Sequence, residues 1–468
     1  MRNGAAEKLL GITSSTGLSI TDDAFAAYVD EQDPLREHRD SFNIPKNRDG
    51  EPYAYMVAHT LGLQHVGVEA AMQGCLRKWQ QQAVEGNYMQ PNPWFEIDKT
   101  LKKDMASLIG ASASEVAVMN SHTVNLHMMM AAFYRPTSTR RKIMMESQGF
   151  PSNTHALVSQ LEVHSYDPST DLITLAAPGH EEWDATPAPV STESILAAID
   201  RHGDETAVLV LGAVHFLTGQ FFDVPAIVAA AHAKGIVVGL DCSHAVGNVP
   251  LQLHDWEVDF ATWCTYKYLS GGPGNVGAAF VHSKHTLPGS AVTYLKGWWG
   301  HDRQTRFSLR RTFDPEEGAG AFQVSSSNVM GITCLTPSLR LIASVGVGAL
   351  RDKSQHLTAY LELLLGELVP PGCVEVVTPA NPAARGAQLS IRIRPNKLKS
   401  DAADTEAYEC GTSGADGNCD AEVAQRQLLD LGVMVDNRPP DILRITPAPL
   451  YNSYADVLLV ARAVSSLF

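Results

Sequence analysis

Three apolar runs, "TAVLVLGAVHF", "IVVGLD" and "VDFATWCTYK", lie within residues 206–267. They are apolar at successive rather than alternate positions, so neither face of such a strand can meet water. Strands of this kind are buried on both sides, which requires a mostly parallel sheet with helices on its two faces. The segment after the first run, "DVPAIVAAAHAKG", has an acidic start at Asp223, a proline at the second following position and a closing Gly235, as a crossover helix should. The fold class is therefore α/β.

The same alternation extends outward from this centre. "LQHVGVEAAMQGCLRKWQQQAV" reads as an amphipathic helix, "HTVNLHMMMAAFYRP" as a helix stopped by Pro136, and "RKIMMES" as a short strand. "SNTHALVSQLEV" reads as a helix with Ser152 as its N-cap. Beyond about 330 the pattern changes. "ITCLTPSLRLIASVGVGAL" predicts a long apolar-faced helix, "AQLSIRIRP" a half-exposed strand, and "EVAQRQLLDLGV" an amphipathic helix. The expected organisation is an N-terminal arm (1–55), a large α/β domain (56–325) and a smaller α+β C-terminal domain (326–468). A polar, glycine-containing loop insertion at 398–422 interrupts the last.

Charge narrows the partners. The 468 residues carry a net charge of −15, which argues against nucleic acid or an anionic membrane as the main partner. The opening residues lack the apolar core of a signal peptide, and no apolar run is long enough to span a bilayer. Seven cysteines, an odd number without paired metal-ligand spacing, read as reduced thiols. These features predict a cytoplasmic protein acting on a small molecule.

In open α/β sheets, ligands bind beyond the carboxyl ends of the strands. Asp241 closes "IVVGLD", His244 follows it, and Lys267 follows "VDFATWCTY". Alone, Asp241 reads as a turn acceptor and Lys267 as a snorkelling surface lysine. Together at neighbouring strand ends they suit an aldehyde cofactor. A lysine amine can hold pyridoxal 5′-phosphate as a Schiff base, and a carboxylate can keep its pyridine nitrogen protonated. "MNSHTVNLHMMM" places His122 and Thr123 at a helix start, where backbone N–H groups favour a phosphate. "GGPGNVG" lacks the strand context and downstream acid of a dinucleotide loop. His122, His127, His215, His232, His244 and His254 do not form a metal-binding helix motif, so no metal is expected.

The chain resembles the kynureninases along most of its length. The resemblance is carried by "DPLREHRDSFNIPK", "TLGLQ", "MNSHTVNLHMMM", "FPSN", "VHFLTGQFFDVPAI", "DCSHAVGNVPLQLHDWEVDFATWCTYKYLSGGPG", "GWWGH" and "RITPAPLYNSYADV". It implies a large domain of the aspartate aminotransferase-like, fold-type I class and a homodimer with shared active sites. The implied activity is pyridoxal phosphate-dependent hydrolysis of the Cβ–Cγ bond of L-kynurenine or 3-hydroxy-L-kynurenine. By the resemblance, Lys267 is the Schiff-base lysine, Asp241 faces the pyridine nitrogen with His244 beside it, and Tyr266 contacts the phosphate and relays protons. His122, Thr123, Phe150, Ser152, Asn153 and Gly212 line the cofactor site, joined by Trp298 and Ser326 from the partner subunit. Arg444 grips the substrate carboxylate, and Thr60 and Asn87 lie on the substrate side.

Several positions depart from the family. Asn153 stands where the family has aspartate, and "HTLG" replaces "NSLG", giving His59 and Thr60. Asn87 replaces a histidine implicated in recognising the aryl ring, Gly212 a serine and Ser326 an asparagine. These departures leave open a kynureninase-like enzyme for a different β-acyl amino acid. A desulfurase or aminotransferase, or a catalytically silent paralogue, is the more distant alternative. Retention of Lys267, Asp241, Tyr266 and Arg444 together argues against a silent paralogue.

Overall fold

The computed structural model describes residues 4–180, 186–287, 289–394, 398 and 420–468. The expected 398–422 insertion lies largely outside them. The chain divides into two compact units, one of residues 61–216 and 220–349, the other of 1–60, 217–219 and 350–468.

The larger unit is built on seven strands: β1 (Val116–Val118), β2 (Lys142–Glu146), β3 (Leu172–Leu175), β4 (Thr206–Gly212), β5 (Val237–Asp241), β6 (Phe260–Trp263) and β7 (Ala278–Val281). Their order across the sheet is β1-β7-β6-β5-β4-β2-β3. The strands from β6 through β5, β4 and β2 to β3 are parallel, and β7 runs antiparallel to both β6 and β1. Residues of β4 and β6 are buried at every position, as their continuous apolar character requires. The helices of this unit are α1 (Gly67–Gln82), α2 (Lys99–Ile109), α3 (His122–Phe133), α4 (Pro151–Val163), α5 (Thr192–His202), α6 (Val224–Ala233) and α7 (Val329–Val345), with the short Pro168–Asp171 helix before β3. Met129, Met130 and Phe133 of α3 pack with Ile143, Val208, Val210 and Phe260 of the sheet in one apolar cluster.

Register fixes the chemistry-bearing edge. Gly212 pairs with Asp241 and Asp241 with Thr262, so β4, β5 and β6 end at one level. Glu146 ends β2, the next strand beyond β4.

The smaller unit has an antiparallel sheet ordered Asp436–Arg438, Ile442–Ile445, Leu389–Ile393, Val374–Val376. Leu389–Ile393 is buried at all five positions, not half-exposed as its alternating pattern suggests. Its polar members are absorbed inside. Ser390 Oγ donates to the Leu217 carbonyl, and Arg392 pairs with Glu375 at 3.0 Å. The first 60 residues are also more than a connecting arm. Helices Gly4–Thr16 and Asp23–Glu31 bury Leu9, Phe25 and Val29 in one cluster with Leu364, Ile391 and Val457. The Asp30 carboxylate accepts the N–H groups of Tyr454 and Ala455 at 2.7 and 3.1 Å, at the start of helix Tyr454–Ser466.

Two other expectations shift. Helix α7 groups with α1 and α2 in the larger unit and ends at Gly346, whose φ of 81° suits glycine. The unit boundary thus falls near 349 rather than 325. Ser152 sits inside α4 rather than at its cap, because Pro151 takes the first helical position and Phe150 is the N-cap. Among the described residues, no single helix is long and apolar enough to cross a membrane.

Candidate active site

Beyond the ends of β5 and β6, the larger unit gathers the ionisable groups singled out in the sequence. Asp241 is buried, and its Oδ1 accepts the Ser243 N–H at 2.8 Å. Its Oδ2 accepts from Asn153 Nδ2 at 2.8 Å and lies 3.3 Å from His122 Nε2. Burial alone would raise the Asp241 carboxyl. The His122 imidazole, Lys267 and the Asn153 amide outweigh it and hold the group well below the usual carboxylate range. His122 is affected in the opposite sense. Burial opposes its charge, yet Asp241 raises it above the ordinary histidine value.

Lys267 is half-buried, with its Nζ 5.7 Å from the Phe150 ring centre and 6.0 Å from that of Tyr266. Among the described residues no carboxylate forms an ion pair with this ammonium. The backbone at Lys267 is fixed by the "TLG" segment. The Gly62 N–H donates to the Tyr266 carbonyl at 2.8 Å, and a Cβ at residue 62 would lie 2.3 Å from the Lys267 carbonyl oxygen. Only glycine permits that approach. Burial and the Cys264 thiol push the Tyr266 phenol well above its ordinary value, so it stays protonated as a donor.

Two helix N-termini meet near this cluster. Thr123, in the first turn of α3, and Ser152, in the first turn of α4, share a hydroxyl hydrogen bond of 2.7 Å. Each helix start also presents the positive end of its dipole, and α3 leaves first-turn backbone N–H groups without a partner inside the helix. The helix start at His122 is admitted by Gly277, where a Cβ would lie 3.1 Å from the His122 nitrogen.

The His122 side chain turns away from that cradle toward Asp241, which its place at a helix start did not reveal. His244 is buried beside Tyr268 and Phe216. Gly212 ends β4, and its N–H donates to Glu146 Oε1 at 3.1 Å. Glu146 itself was missed in the sequence, although its position at the end of "RKIMME" was the available signal. Burial pushes its carboxyl up to about 8, with Asp241 adding to the shift.

Three other expected residues belong to the larger unit. Trp298 is 43% exposed and packs with Phe95, Trp299 and Phe307. Asn87 ends a 3₁₀ turn and is half-buried, while Ser326 is exposed. Arg444 and Thr60 belong to the smaller unit. There Arg444 Nη2 lies 2.8 Å from Asp436 Oδ2, and Thr60 Oγ1 donates to the same oxygen at 2.6 Å. Asp436 Oδ1 also pairs with Arg438 at 2.7 Å. Asp436 had no recognisable sequence signal. Elsewhere, Glu115, His254 and His282 bring potential ligand atoms within 4.8 Å of one another. Glu115 Oε1 there already accepts from His254 Nδ1 and the Ser283 N–H, each at 2.8 Å.

Comparison with known proteins decides the family. Residues 62–395 match the aminotransferase class-V family, and residues 418–464 match the kynureninase C-terminal domain. The chain is 42% identical to the kynureninase of Myxococcus xanthus over 93% of this chain and 95% of that protein. It is 40% identical to the kynureninase of Nematostella vectensis over 96% and 95%. The chain belongs to the kynureninase family. It is accordingly a pyridoxal phosphate-dependent hydrolase acting on a carbon–carbon bond.

Solved structures agree on the fold. A C-DES mutant with glycine covalently linked to its PLP cofactor covers 88% of this chain and 96% of its own, with a TM-score of 0.69 at 14% identity. The cysteine desulfurase CsdA from Escherichia coli covers 92% and 98%, with a TM-score of 0.67 at 15% identity.

The residues present fit the cofactor that the kynureninase family uses. A buried carboxylate suits a protonated ring nitrogen, and the paired helix starts with Thr123 and Ser152 suit a phosphate. Lys267 supplies an amine with no carboxylate partner among the described residues. This donor set is anionic at one end and anion-binding at the other, as the polarity of pyridoxal phosphate demands.

Proposed function

We propose that this enzyme hydrolyses the Cβ–Cγ bond of L-kynurenine or 3-hydroxy-L-kynurenine. One water is consumed, and an anthranilate-type acid and L-alanine are released. The observation that carries the reading is the Asp241 carboxylate, buried at the end of β5 with an amide and an imidazole on one oxygen. The family resemblance supplies the substrate class.

When bound, the cofactor supplies an electron sink for the charge left at the substrate Cα. Lys267 would hold its aldehyde carbon and is the amine placed to move the Cα proton. Asp241 keeps a proton on the ring nitrogen. The protonated Tyr266 phenol serves as the donor near Lys267. Thr123, Ser152 and the backbone N–H groups at their helix starts hold the phosphate, with Phe150, His244 and Gly212 shaping the walls. Arg444, held by Asp436, binds the substrate α-carboxylate through its planar fork.

The enzyme works as a cytoplasmic homodimer in this reading, with Trp298 and Ser326 contributed by the partner subunit. The exposed Tyr88, Trp298 and Phe307, each packed on Phe95, support a covered face on the larger unit. The Asn153 amide favours a second reading, a related β-acyl amino acid as substrate.

The test uses purified protein loaded with pyridoxal phosphate and offered L-kynurenine, 3-hydroxy-L-kynurenine and ring-substituted analogues. Alanine and the matching aryl acid should appear in equal amounts. Lys267→Ala should abolish the borohydride-reducible link to the cofactor. A reducible link that persists at another residue would remove Lys267 from its role, and turnover of an analogue alone would establish the second reading.

A further inference from the structure

His122 belongs to the helix start that favours the phosphate, but its imidazole is committed elsewhere. Its ring is buried among three elements besides its own helix. From α4, Asn153 Oδ1 lies 3.0 Å from Nε2. From β5, Asp241 Oδ2 lies 3.3 Å from the same nitrogen. From β6, Thr262 Oγ1 lies 3.2 Å from Nδ1. Lys267, beyond β6, contributes an opposing positive charge to both His122 and Asp241. Glu146, at the end of β2, is near enough for the Asp241 charge to raise its carboxyl.

The direction of the hydrogen bonds follows from chemistry. An ionised carboxylate only accepts, so Asn153 presents its Nδ2–H to Asp241, at 2.8 Å. Its Oδ1 is then the atom facing His122, and a carbonyl oxygen only accepts. His122 Nε2 must therefore carry a hydrogen, which points at Asn153 Oδ1 and Asp241 Oδ2 together. An aspartate at 153 would set a second anion against Asp241. The amide instead makes a one-way relay from imidazole to carboxylate.

We infer that His122 is a positioning residue acting through Asp241. Its Nε2–H, aimed at Oδ2 and backed by Asn153, fixes that carboxylate and divides its charge between an internal imidazole and the ring nitrogen of the bound cofactor. The inference rests on the proposed role of Asp241, and it assigns His122 to the ring-nitrogen end of the site rather than the phosphate end. Asp241 is thereby held in one orientation before any cofactor arrives. His122 would also weaken the pull of Asp241 on the ring proton, because the imidazole and the ring nitrogen would share one carboxylate.

Two measurements test this, the first without cofactor. In cofactor-free protein with isotope-labelled histidines, a ¹⁵N NMR pH titration should show a hydrogen on His122 Nε2 throughout and loss of the second ring proton at a higher pH than for an unperturbed histidine. Asp241→Asn should lower that midpoint. An Nε2 without a hydrogen in the unsubstituted protein, or a midpoint indifferent to Asp241→Asn, would overturn the inference.

The second measurement uses the loaded enzyme and His122→Gln, which keeps a donor and removes the charge. The midpoint of the visible-absorbance pH titration should move by about half a unit or more, with the ³¹P resonance of the cofactor phosphate unchanged. A shifted ³¹P resonance with an unmoved midpoint would assign His122 to the phosphate and end the proposal. If His122→Gln does not fold, the first measurement still decides. Neither outcome touches the Lys267 linkage or alanine release, so failure here is distinguishable from failure of the proposed function.

Discussion

Asp241 in the larger unit and Asp436 in the smaller are equally buried, each 8% exposed, and each sits among hydrogen-bond donors. Their nearest partners differ in kind. Asp436 bridges the guanidinium groups of Arg438 and Arg444, with the Thr60 hydroxyl on the shared oxygen. Arginine does not release its proton in a protein, so this carboxylate is matched by fixed charge at every working pH. Asp241 is held instead by a neutral amide, a backbone N–H and an imidazole that can lose its proton. Equal burial therefore yields two different devices. One carboxylate anchors a cation, and the other keeps charge available to a ligand.

The largest expected effect tests the second device. Asp241→Asn should lower kcat by about 10²–10³-fold, the cost typical of removing a preorganised electrostatic partner. Circular dichroism should show the fold retained. A loss under tenfold would mean that another group serves the ring nitrogen.

Next comes the anchor. Asp436→Asn takes a charged hydrogen bond from Arg444 and should raise the substrate KM by about 10- to 100-fold, the equivalent of ~1.5–3 kcal/mol. Steady-state kinetics should show kcat within a few-fold of its starting value. A fall in kcat at constant KM would place Asp436 among the groups that act on the reaction itself and break the contrast.

The smallest effect concerns Glu146, a carboxyl on the same sheet edge that accepts from backbone N–H groups, Gly212 among them. Its folded-state pKa is raised to about 8 from an ordinary 4.5. Between those values the native protein keeps a proton that the unfolded chain has released. Its stabilising contribution is therefore full below 4.5, falls as pH rises, and levels off above about 8. Glu146→Gln should flatten that slope by up to one proton, ~1.4 kcal/mol per pH unit. Urea unfolding of the cofactor-free protein from about pH 5 to 8 measures it. An unchanged slope would mean that Glu146 is ionised like Asp241.

The sequence made the sheet and its reactive edge legible because both are written locally. Continuous apolar runs mark the buried strands, and Lys267 and Asp241 lie where those runs stop. Side-chain direction is not written locally. His122 follows the pattern of a helix start, but its rotamer answers to Asp241, 119 positions later in the chain. Asp436 gave no signal because its meaning comes from Arg444 on the neighbouring antiparallel strand and Thr60 far upstream. The alternation of Leu389–Ile393 suggested a wet face because periodicity cannot tell a solvated serine or arginine from one satisfied inside. The first 60 residues read as an arm because the apolar partners of Leu9 and Phe25 lie several hundred residues away.

The capping of Tyr454 and Ala455 by Asp30 bears on how the molecule is assembled in time. On the ribosome, residues 4–60 emerge well before the helix they cap, with nearly all of 61–349 made in between. At ~5–20 residues per second that interval is on the order of tens of seconds. The middle of the chain can complete its sheet in that time. Leu9, Phe25 and Val29 lack Leu364, Ile391 and Val457 until those residues are made, so their burial is completed only after the middle of the chain exists.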